Sequence, residues 1–146
     1  MRAFIPKILF FFGFLLLSSC DKQQENISDV PVNFSIYLDD PLYRDLRTIG
    51  NAINVVGGHS GIIIYRLSED EFLAYDRICP YENSTKCRVG VSDNNLFYTC
   101  SCCKTPYLII DGTGQSRNDT TYSGTGLFLK QYRTYFDGIN RIRISN

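Results

Sequence analysis

The chain has 146 residues, of which 44% are hydrophobic and 14% aromatic, so it can bury one core and its length predicts a single domain. Fifteen Lys and Arg balance fifteen Asp and Glu. Without the two basic residues of the N-terminal segment, Arg2 and Lys7, the net charge becomes −2. A protein that neutralises phosphates needs an excess of basic residues, so we expect no nucleic-acid partner.

The N-terminus has the pattern of a targeting segment. A positively charged start leads into the apolar run Ile8 to Leu17, which is too short to span a bilayer. Cys20 follows almost directly and resembles the cysteine of the bacterial lipobox, before which a signal peptidase cuts. We expect a lipoprotein signal peptide at residues 1–19, a lipidated Cys20 and a polar tether at 20–31; a plain secretory signal is the alternative. The expected location is the Gram-negative cell envelope, at the outer membrane.

The domain, residues 32–146, is predicted to consist of short strands. It begins with an alternation typical of a strand with one buried face. Its apolar members are Val32, Phe34, Ile36 and Leu38. Later runs rich in apolar, β-branched or aromatic residues each predict strand structure. They are Ala52 to Val56, Gly61 to Leu67, Glu71 to Asp76, Leu96 to Thr99, Tyr107 to Asp111, Leu127 to Tyr135 and Ile139 to Ile144. In the last run Ile142 and Ile144 alternate with Arg141 and Arg143, as in an edge or surface strand.

Turn-forming residues separate these runs. They are Gly57-Gly58, Ser92 to Asn95, Asp111-Gly112 and Asp137-Gly138. The one helical candidate is Leu42 to Ile49, in which Leu42, Leu46 and Ile49 recur at spacings of four and three. Many short strands joined by tight turns predict an all-β fold, an antiparallel sandwich or barrel.

Five cysteines fall within 25 positions and are the strongest chemical signal in the chain. They are Cys79, Cys87, Cys100, Cys102 and Cys103. Cys79 and Cys100 each come at the end of a predicted strand, so the loops that carry them can meet around one small object. An oxidising compartment favours disulfides, but five is an odd number. At least one thiol must therefore stay free, bind a metal or pair with another molecule.

Two segments resemble the cluster loops of Rieske-type proteins, which bind a [2Fe–2S] cluster through the motifs C-x-H and C-x-x-H. The first segment reads Cys79-Pro80-Tyr81 and the second runs from Cys100 to Tyr107, so both cysteine positions match. Thr105 and Tyr107 match the hydroxyl and aromatic positions after the second motif. The resemblance covers roughly Val32 to Asn146. It implies a Rieske-like fold, in which a larger strand-built base carries a small two-loop subdomain.

Both histidine ligands of that family are missing here. Tyr81 and Cys103 stand at their positions, and Lys104 replaces the usual glycine. A two-histidine cluster cannot form, and we expect Tyr81 to pack under its loop. The single histidine, His59, is expected to be a solvent-exposed turn residue. A [2Fe–2S] cofactor is therefore implied by the resemblance without its usual ligands, and zinc or no metal are the alternatives.

Two arrangements of the cysteines remain open. In one, a four-sulfur site holds zinc or an all-cysteine iron-sulfur centre. Its ligands would be Cys79, Cys87, Cys100 and Cys103. In the other, disulfides hold the loops and no metal is bound. The resemblance implies one such bridge, since many family members join their loops through a second cysteine in each; Cys102 matches in the second loop, and Cys87 is its expected partner. The N-terminus lacks a twin-arginine pair, so export in an unfolded state favours disulfides or late-acquired zinc.

Two functions from different classes follow. The first is a membrane-anchored, cluster-free binding or structural module with disulfide-held loops. The alternative is an electron-transfer or metal-binding protein with a sulfur-ligated centre. Expected partners are membrane lipid through Cys20 and an unknown protein or redox partner. No nucleophile is paired with a base, because the one Ser beside a His, Ser60, is its direct neighbour in sequence, so we expect no enzyme.

Overall fold

The structure, a computed structural model, describes Ile27, residues 29–92, 97–118 and 121–146, and only the backbone of 116–118 and 121–125. The described residues form one 3-10 helix, Pro41–Arg47, and eleven strands. The strands are β1 (Asn33–Tyr37), β2 (Ala52–Val55), β3 (Ile62–Arg66), β4 (Phe72–Asp76), β5 (Val89–Val91), β6 (Phe97–Cys100), β7 (Pro106–Leu108), β8 (Thr113–Asn118), β9 (Thr121–Phe128), β10 (Gln131–Phe136) and β11 (Arg141–Ser145).

The strands form two antiparallel sheets, which confirms the predicted all-β class. The six-stranded sheet has the order β1-β11-β10-β4-β3-β2, and the five-stranded sheet has the order β5-β6-β7-β8-β9. All five strands of the second sheet lie between β4 and β10 in sequence, so the chain leaves the larger sheet, builds the smaller one and returns. Of the two cysteine-bearing loops, one leads from β4 of the larger sheet into β5 of the smaller sheet and the other joins β6 to β7, so both adjoin the smaller sheet, as expected of the two-loop subdomain.

The strands β3 and β4 are buried on both faces and separate two hydrophobic clusters. Ile62, Ile64 and Ala74 point into the first cluster, together with Leu46 of the 3-10 helix. Ile63 and Tyr75 point the other way, into a second cluster. Successive residues of a strand face opposite sides, so a strand covered on both sides needs a continuous apolar run. The second cluster contains Tyr98, Tyr107, Cys79 and Cys100 and is therefore the core under the cysteine loops.

The last strand has the predicted alternation but a different position. Ile142 and Ile144 are fully buried and Arg141 and Arg143 are exposed. However, β11 pairs with β1 on one side and β10 on the other, so the edge position is wrong, whereas the exposed arginine face fits the other predicted alternative, a surface strand. Alternation reports that one face of a strand is covered and says nothing about its neighbours in the sheet.

The predicted helix is a 3-10 helix that begins at Pro41, where the Asp40 carboxylate accepts the N–H of Leu42 at 2.9 Å. Of the three periodic apolar residues only Leu46 is buried, whereas Leu42 is 80% and Ile49 is 51% exposed. A 3-10 helix has three residues per turn, so Leu42 and Leu46, four apart, do not share a face, and Ile49 lies beyond the end of the helix at Arg47.

The hairpin of β8 and β9 was not predicted. Its sequence is rich in Gly, Ser, Thr and Asn and has no apolar alternation. It forms because β8 continues the sheet beyond β7, with a register shift between Thr113 and Gln115. The predicted run Leu127 to Tyr135 is accordingly divided between β9 and β10. The turn predicted at Ser92 to Asn95 lies mostly outside the described residues.

The signal peptide, Cys20 and most of the tether also lie outside the described residues. At the end of the tether, Asp29 pairs with Lys130 at 2.6 Å and the carbonyl of Val30 accepts the amide N–H of Asn146. Within the described part of the chain, no helix has the length and apolarity needed to cross a membrane.

A buried carboxylate anchors the beginning of the first cysteine loop. Asp76 ends β4 and is fully buried. It accepts the backbone N–H groups of His59 at 2.7 Å, Ser60 at 3.2 Å and Ile78 at 2.9 Å, and the hydroxyl of Tyr132 at 2.8 Å. His59 thus lies in the predicted turn but is half-buried, because the turn folds onto Asp76. Asp76 fixes the backbone immediately before Cys79.

Candidate functional site: a three-thiol group

Three free thiols converge where the two loops meet. Cys79 lies in the first loop, residues 77–88, which follows β4; Cys100 ends β6, and Cys103 lies in the second loop, residues 101–105. Their Sγ atoms all lie within 4.8 Å of one another, and those of Cys79 and Cys103 are 3.5 Å apart. Cys79 and Cys100 are fully buried, whereas Cys103 is partly exposed. The group therefore opens to solvent at Cys103.

The other two cysteines form a disulfide that joins the loops. Cys87 and Cys102 are bonded, with Cα atoms 5.4 Å apart, as the resemblance implied. The proposed four-sulfur set needs correction, because a sulfur in a disulfide is no longer a thiolate ligand. Cys87 leaves the set, and three of its four members come together. Cys102 and Cys103 serve different purposes, because Cys102 forms the disulfide and Cys103 is a free thiol of the group.

Backbone hydrogen bonds hold the two loops against each other. The N–H of Ser101 donates to the carbonyl of Arg88 at 2.9 Å, and the N–H of Arg88 donates to the Ser101 hydroxyl at 3.2 Å. Within the first loop, the N–H of Cys79 donates to the carbonyl of Cys87 at 3.0 Å. The disulfide and these bonds fix the positions from which the thiols point inward.

Lys104 stands where a glycine is usual and keeps the backbone conformation of one. Its φ is +60°, in the left-handed region that a side chain disfavours by about 1–2 kcal/mol. Its N–H donates to the carbonyl of Cys100 at 3.2 Å, and its Nζ donates to the carbonyl of Ser101 at 2.7 Å. These contacts close the second loop and offset part of that cost.

Cys100 and Cys103 differ in acidity. Burial raises the pKa of Cys100 to about 12, and its hydrogen bond to Cys79 acts in the same direction. Burial also acts to raise the pKa of Cys103, but hydrogen bonds with the hydroxyl and N–H of Thr105 and with the other two thiols outweigh it, so the net pKa is lowered. The Cys103 Sγ and Thr105 Oγ1 are 3.2 Å apart. Of Cys100 and Cys103, Cys103 is thus the thiol that more easily becomes a thiolate.

Tyrosines surround the buried side of the group. The hydroxyl of Tyr107 lies 3.5 Å from the Cys79 Sγ, and burial followed by that hydrogen bond raises the pKa of Tyr107. Tyr75 and Tyr98 pack edge to face, with ring centroids 6.0 Å apart, and neither hydroxyl has a hydrogen-bond partner among the described residues. Tyr81 is 52% exposed, so the expectation that it packs under the loop was wrong. The tyrosine that packs there is Tyr107.

The difference in acidity predicts selective alkylation. In metal-free protein near pH 7, iodoacetamide should modify Cys103 on the order of tenfold faster than Cys100, because Cys103 has the lowered pKa and a partly exposed sulfur. It should also modify Cys103 faster than Cys79, because the Cys79 side chain is fully buried. The rate should fall as the pH is lowered and the thiolate is protonated. Tandem mass spectrometry of tryptic peptides measures the order of labelling. Unfolded protein is the control, in which the three rates should converge; faster labelling of Cys100 would contradict the geometry.

The donor set does not fit the cluster that the resemblance implies. A [2Fe–2S] cluster takes four protein ligands, two of them histidines in the Rieske type. Within the described residues the group supplies three sulfur atoms and no histidine. Three thiolates would suit a single soft metal ion, and the partly exposed Cys103 would leave room for a further ligand from solvent.

Asp76 is the important residue that sequence reasoning missed. The sequence pattern identifies Asp76 only as the last residue of a predicted strand. The one signal was an acidic residue closing the apolar run Phe72–Asp76 directly before a cysteine loop.

Comparison with known proteins gives a similarity to a solved structure and no match to a protein family. No family model matches the chain, and no curated protein matches it. Among solved structures, the chain is similar to a protein assigned as the small subunit of an NADH-dependent nitrite reductase from Mycobacterium tuberculosis. The TM-score is 0.47 at 14% sequence identity, over 81% of this chain and 97% of that chain. Its own fold and site define this chain as an all-β protein in which one disulfide joins two loops beside three free thiols.

Proposed function

We propose that this chain is a lipid-anchored envelope protein that binds one soft metal ion, zinc or copper(I), through the thiolates of Cys79, Cys100 and Cys103. The observation that carries the proposal is the convergence of three free sulfur atoms within 4.8 Å beside a fourth and fifth that are bonded to each other. Thiolates are the ligands that select zinc and copper(I) in proteins.

The sulfur spacing suits such an ion. A tetrahedral zinc with Zn–S distances of about 2.3 Å places its sulfur atoms about 3.8 Å apart. The Cys79 and Cys103 sulfur atoms are 3.5 Å apart and all three pairs lie within 4.8 Å, a range that includes the spacing such an ion needs. The fourth position would be filled from the solvent side, past the partly exposed Cys103. A site with three protein ligands and an open position accepts an exogenous ligand or a partner's side chain.

The N-terminal pattern supports the rest of the proposal. A signal at residues 1–19 and acylation of Cys20 would attach the domain to membrane lipid, at the outer membrane of a Gram-negative cell envelope. A chain exported in an unfolded state cannot hold a metal during export, so its site would bind the metal only after folding. A single ion can be bound at that stage more readily than a cluster that is assembled in the cytoplasm. We propose a binding protein and no enzyme, since Ser60, the one Ser beside a His, is the direct sequence neighbour of His59 and cannot be oriented by it as in a catalytic triad.

The second candidate is a cluster-free module that uses the joined loops as a recognition tip. The exposed side chain of Tyr81, beside the disulfide-linked loops, favours it. Aromatic side chains are enriched at binding surfaces, and a rigid loop loses little entropy on binding. This function needs no metal, so metal content separates the two candidates.

Zinc titration of the full chain tests the proposal. Protein purified under nitrogen without reductant is stripped with a chelator and titrated with Zn²⁺ against a chromophoric competitor, with thiols counted in parallel. We expect one zinc per chain and a loss of affinity of at least about tenfold in Cys100→Ser, because two sulfur donors remain. Cys20→Ser is the matched control and should bind as the wild type does.

Three outcomes would overturn the proposal. They are absence of binding for both Zn²⁺ and Cu⁺, an unchanged affinity in Cys100→Ser, and purified protein that contains iron with acid-labile sulfide. The first would favour the recognition module, and the third would favour electron transfer.

A further inference from the structure

We propose that Cys79 and Cys103 form a redox-active dithiol, in which Cys103 attacks small-molecule disulfides and Cys79 resolves the mixed disulfide. This activity goes beyond metal binding. It uses the same loops, but it depends on the distance between two sulfur atoms and on which of them solvent can reach.

The two sulfur atoms are already close. They lie 3.5 Å apart, and a disulfide bond is about 2.05 Å long, so bond formation needs an approach of about 1.5 Å. Rotation of the Cys103 side chain covers that distance without moving the loop backbones. The backbones are held by the Cys87–Cys102 disulfide and by the pair of hydrogen bonds between Arg88 and Ser101.

Exposure assigns the two roles. Cys103 is the partly exposed member of the three and can meet a solvent molecule, whereas Cys79 is fully buried behind it. Cys100 is also fully buried, and its backbone is fixed in the ladder opposite Val89. An external disulfide therefore reaches Cys103 first, and the Cys79 sulfur, 3.5 Å from that of Cys103, is placed to resolve the adduct.

The exchange balances in two steps. The Cys103 thiolate attacks one sulfur of a small disulfide RSSR, which forms the Cys103–SR bond and releases RS⁻. The Cys79 sulfur then attacks the Cys103 sulfur, which forms the Cys79–Cys103 bond and breaks the bond to R. The protons of the two protein thiols end on the two RS⁻ groups as RSH. Two electrons pass from the protein to the small disulfide.

Glutathione disulfide is a suitable probe. The metal-free full chain is incubated with it, alkylated, digested with trypsin and analysed by mass spectrometry. Cleavage after Arg77, Lys86, Arg88 and Lys104 leaves Cys79 in peptide 78–86 and Cys103 in peptide 89–104, which also contains Cys100 and Cys102, so tandem mass spectrometry assigns the linked cysteine. We expect the chain to lose two thiols and the two peptides to become linked through Cys79 and Cys103, with Cys100 alkylated.

Variants test the order of events. Cys79→Ser should accumulate a glutathione adduct on Cys103, because the resolving sulfur is gone. Cys103→Ser should lose no thiols and carry no adduct. In Cys100→Ser the link between Cys79 and Cys103 should still form, and this arm distinguishes Cys79 from Cys100 as the resolving thiol.

A link between Cys79 and Cys100, a link between Cys100 and Cys103, or no loss of thiols in the wild type would each overturn the inference. Chelator is present throughout, so these outcomes do not bear on zinc affinity. Conversely, a chain that binds no metal can still show the exchange.

Discussion

Gly58→Ala should lower the free energy of unfolding by more than about 3 kcal/mol, whereas Gly50→Ala should cost about 1 kcal/mol. Both glycines have positive φ, +59° at Gly58 and +87° at Gly50, so each substitution places a side chain in a disfavoured backbone conformation and costs stability. At Gly50 nothing lies within 4 Å of the added Cβ. At Gly58 the Cβ would overlap the Asp76 carboxylate and lie 2.5 Å from the Tyr132 hydroxyl.

The extra cost at Gly58 comes from the polar groups that Asp76 satisfies. If the methyl group displaces the carboxylate, the buried N–H groups of Ser60 and Ile78 lose their acceptor, and each such loss costs about 1–3 kcal/mol. Urea unfolding of the two variants beside the wild type measures the difference. Equal costs for Gly58→Ala and Gly50→Ala would show that the contact with Asp76 does not matter.

The double variant Cys87→Ala/Cys102→Ala should unfold with a free energy about 3 kcal/mol lower than the wild type. The disulfide closes a loop with a sequence separation of 15 residues. A loop of that length lowers the conformational entropy of the unfolded chain and so raises the free energy of unfolding by about 3 kcal/mol. Alanine suits the site because Cys87 is 9% exposed and part of the second hydrophobic cluster. Urea unfolding without reductant gives the difference.

Two controls accompany this prediction. Wild type unfolded in excess dithiothreitol should approach the double variant, since both then lack the bridge. Cys20→Ala should unfold as the wild type does, because it removes a cysteine outside the disulfide. A loss below about 1 kcal/mol would mean that the bridge does not constrain the unfolded chain. The double variant should also still bind one zinc, because neither of its cysteines belongs to the three-thiol group.

Parts of the fold could be predicted because their signals are local. The alternation in β1 and β11 and the Asp137-Gly138 turn depend on neighbouring residues, and the Asp137 carboxylate accepts three N–H groups within four residues of itself. The β8–β9 hairpin could not be predicted, because β8 is formed by pairing with β7 and β9 by pairing with β8, and neither strand carries an apolar pattern of its own. Likewise, the alternation in β11 could not decide between an edge and a surface strand, because that depends on its pairing with both β1 and β10.

The sequence by itself determined the all-β class, the number and grouping of the cysteines and, through the resemblance, the pairing of Cys87 with Cys102. Only the tertiary structure decided that Cys79, Cys100 and Cys103 form one group without Cys87, and that Asp76 fixes the loop before them. The physical reason is that the alternation of apolar residues along a strand indicates which face of the strand is buried, but it does not indicate which other elements cover that face. The distance between sulfur atoms on two loops depends on how two sheets pack together, and Cys79 and Cys100 come from strands of different sheets.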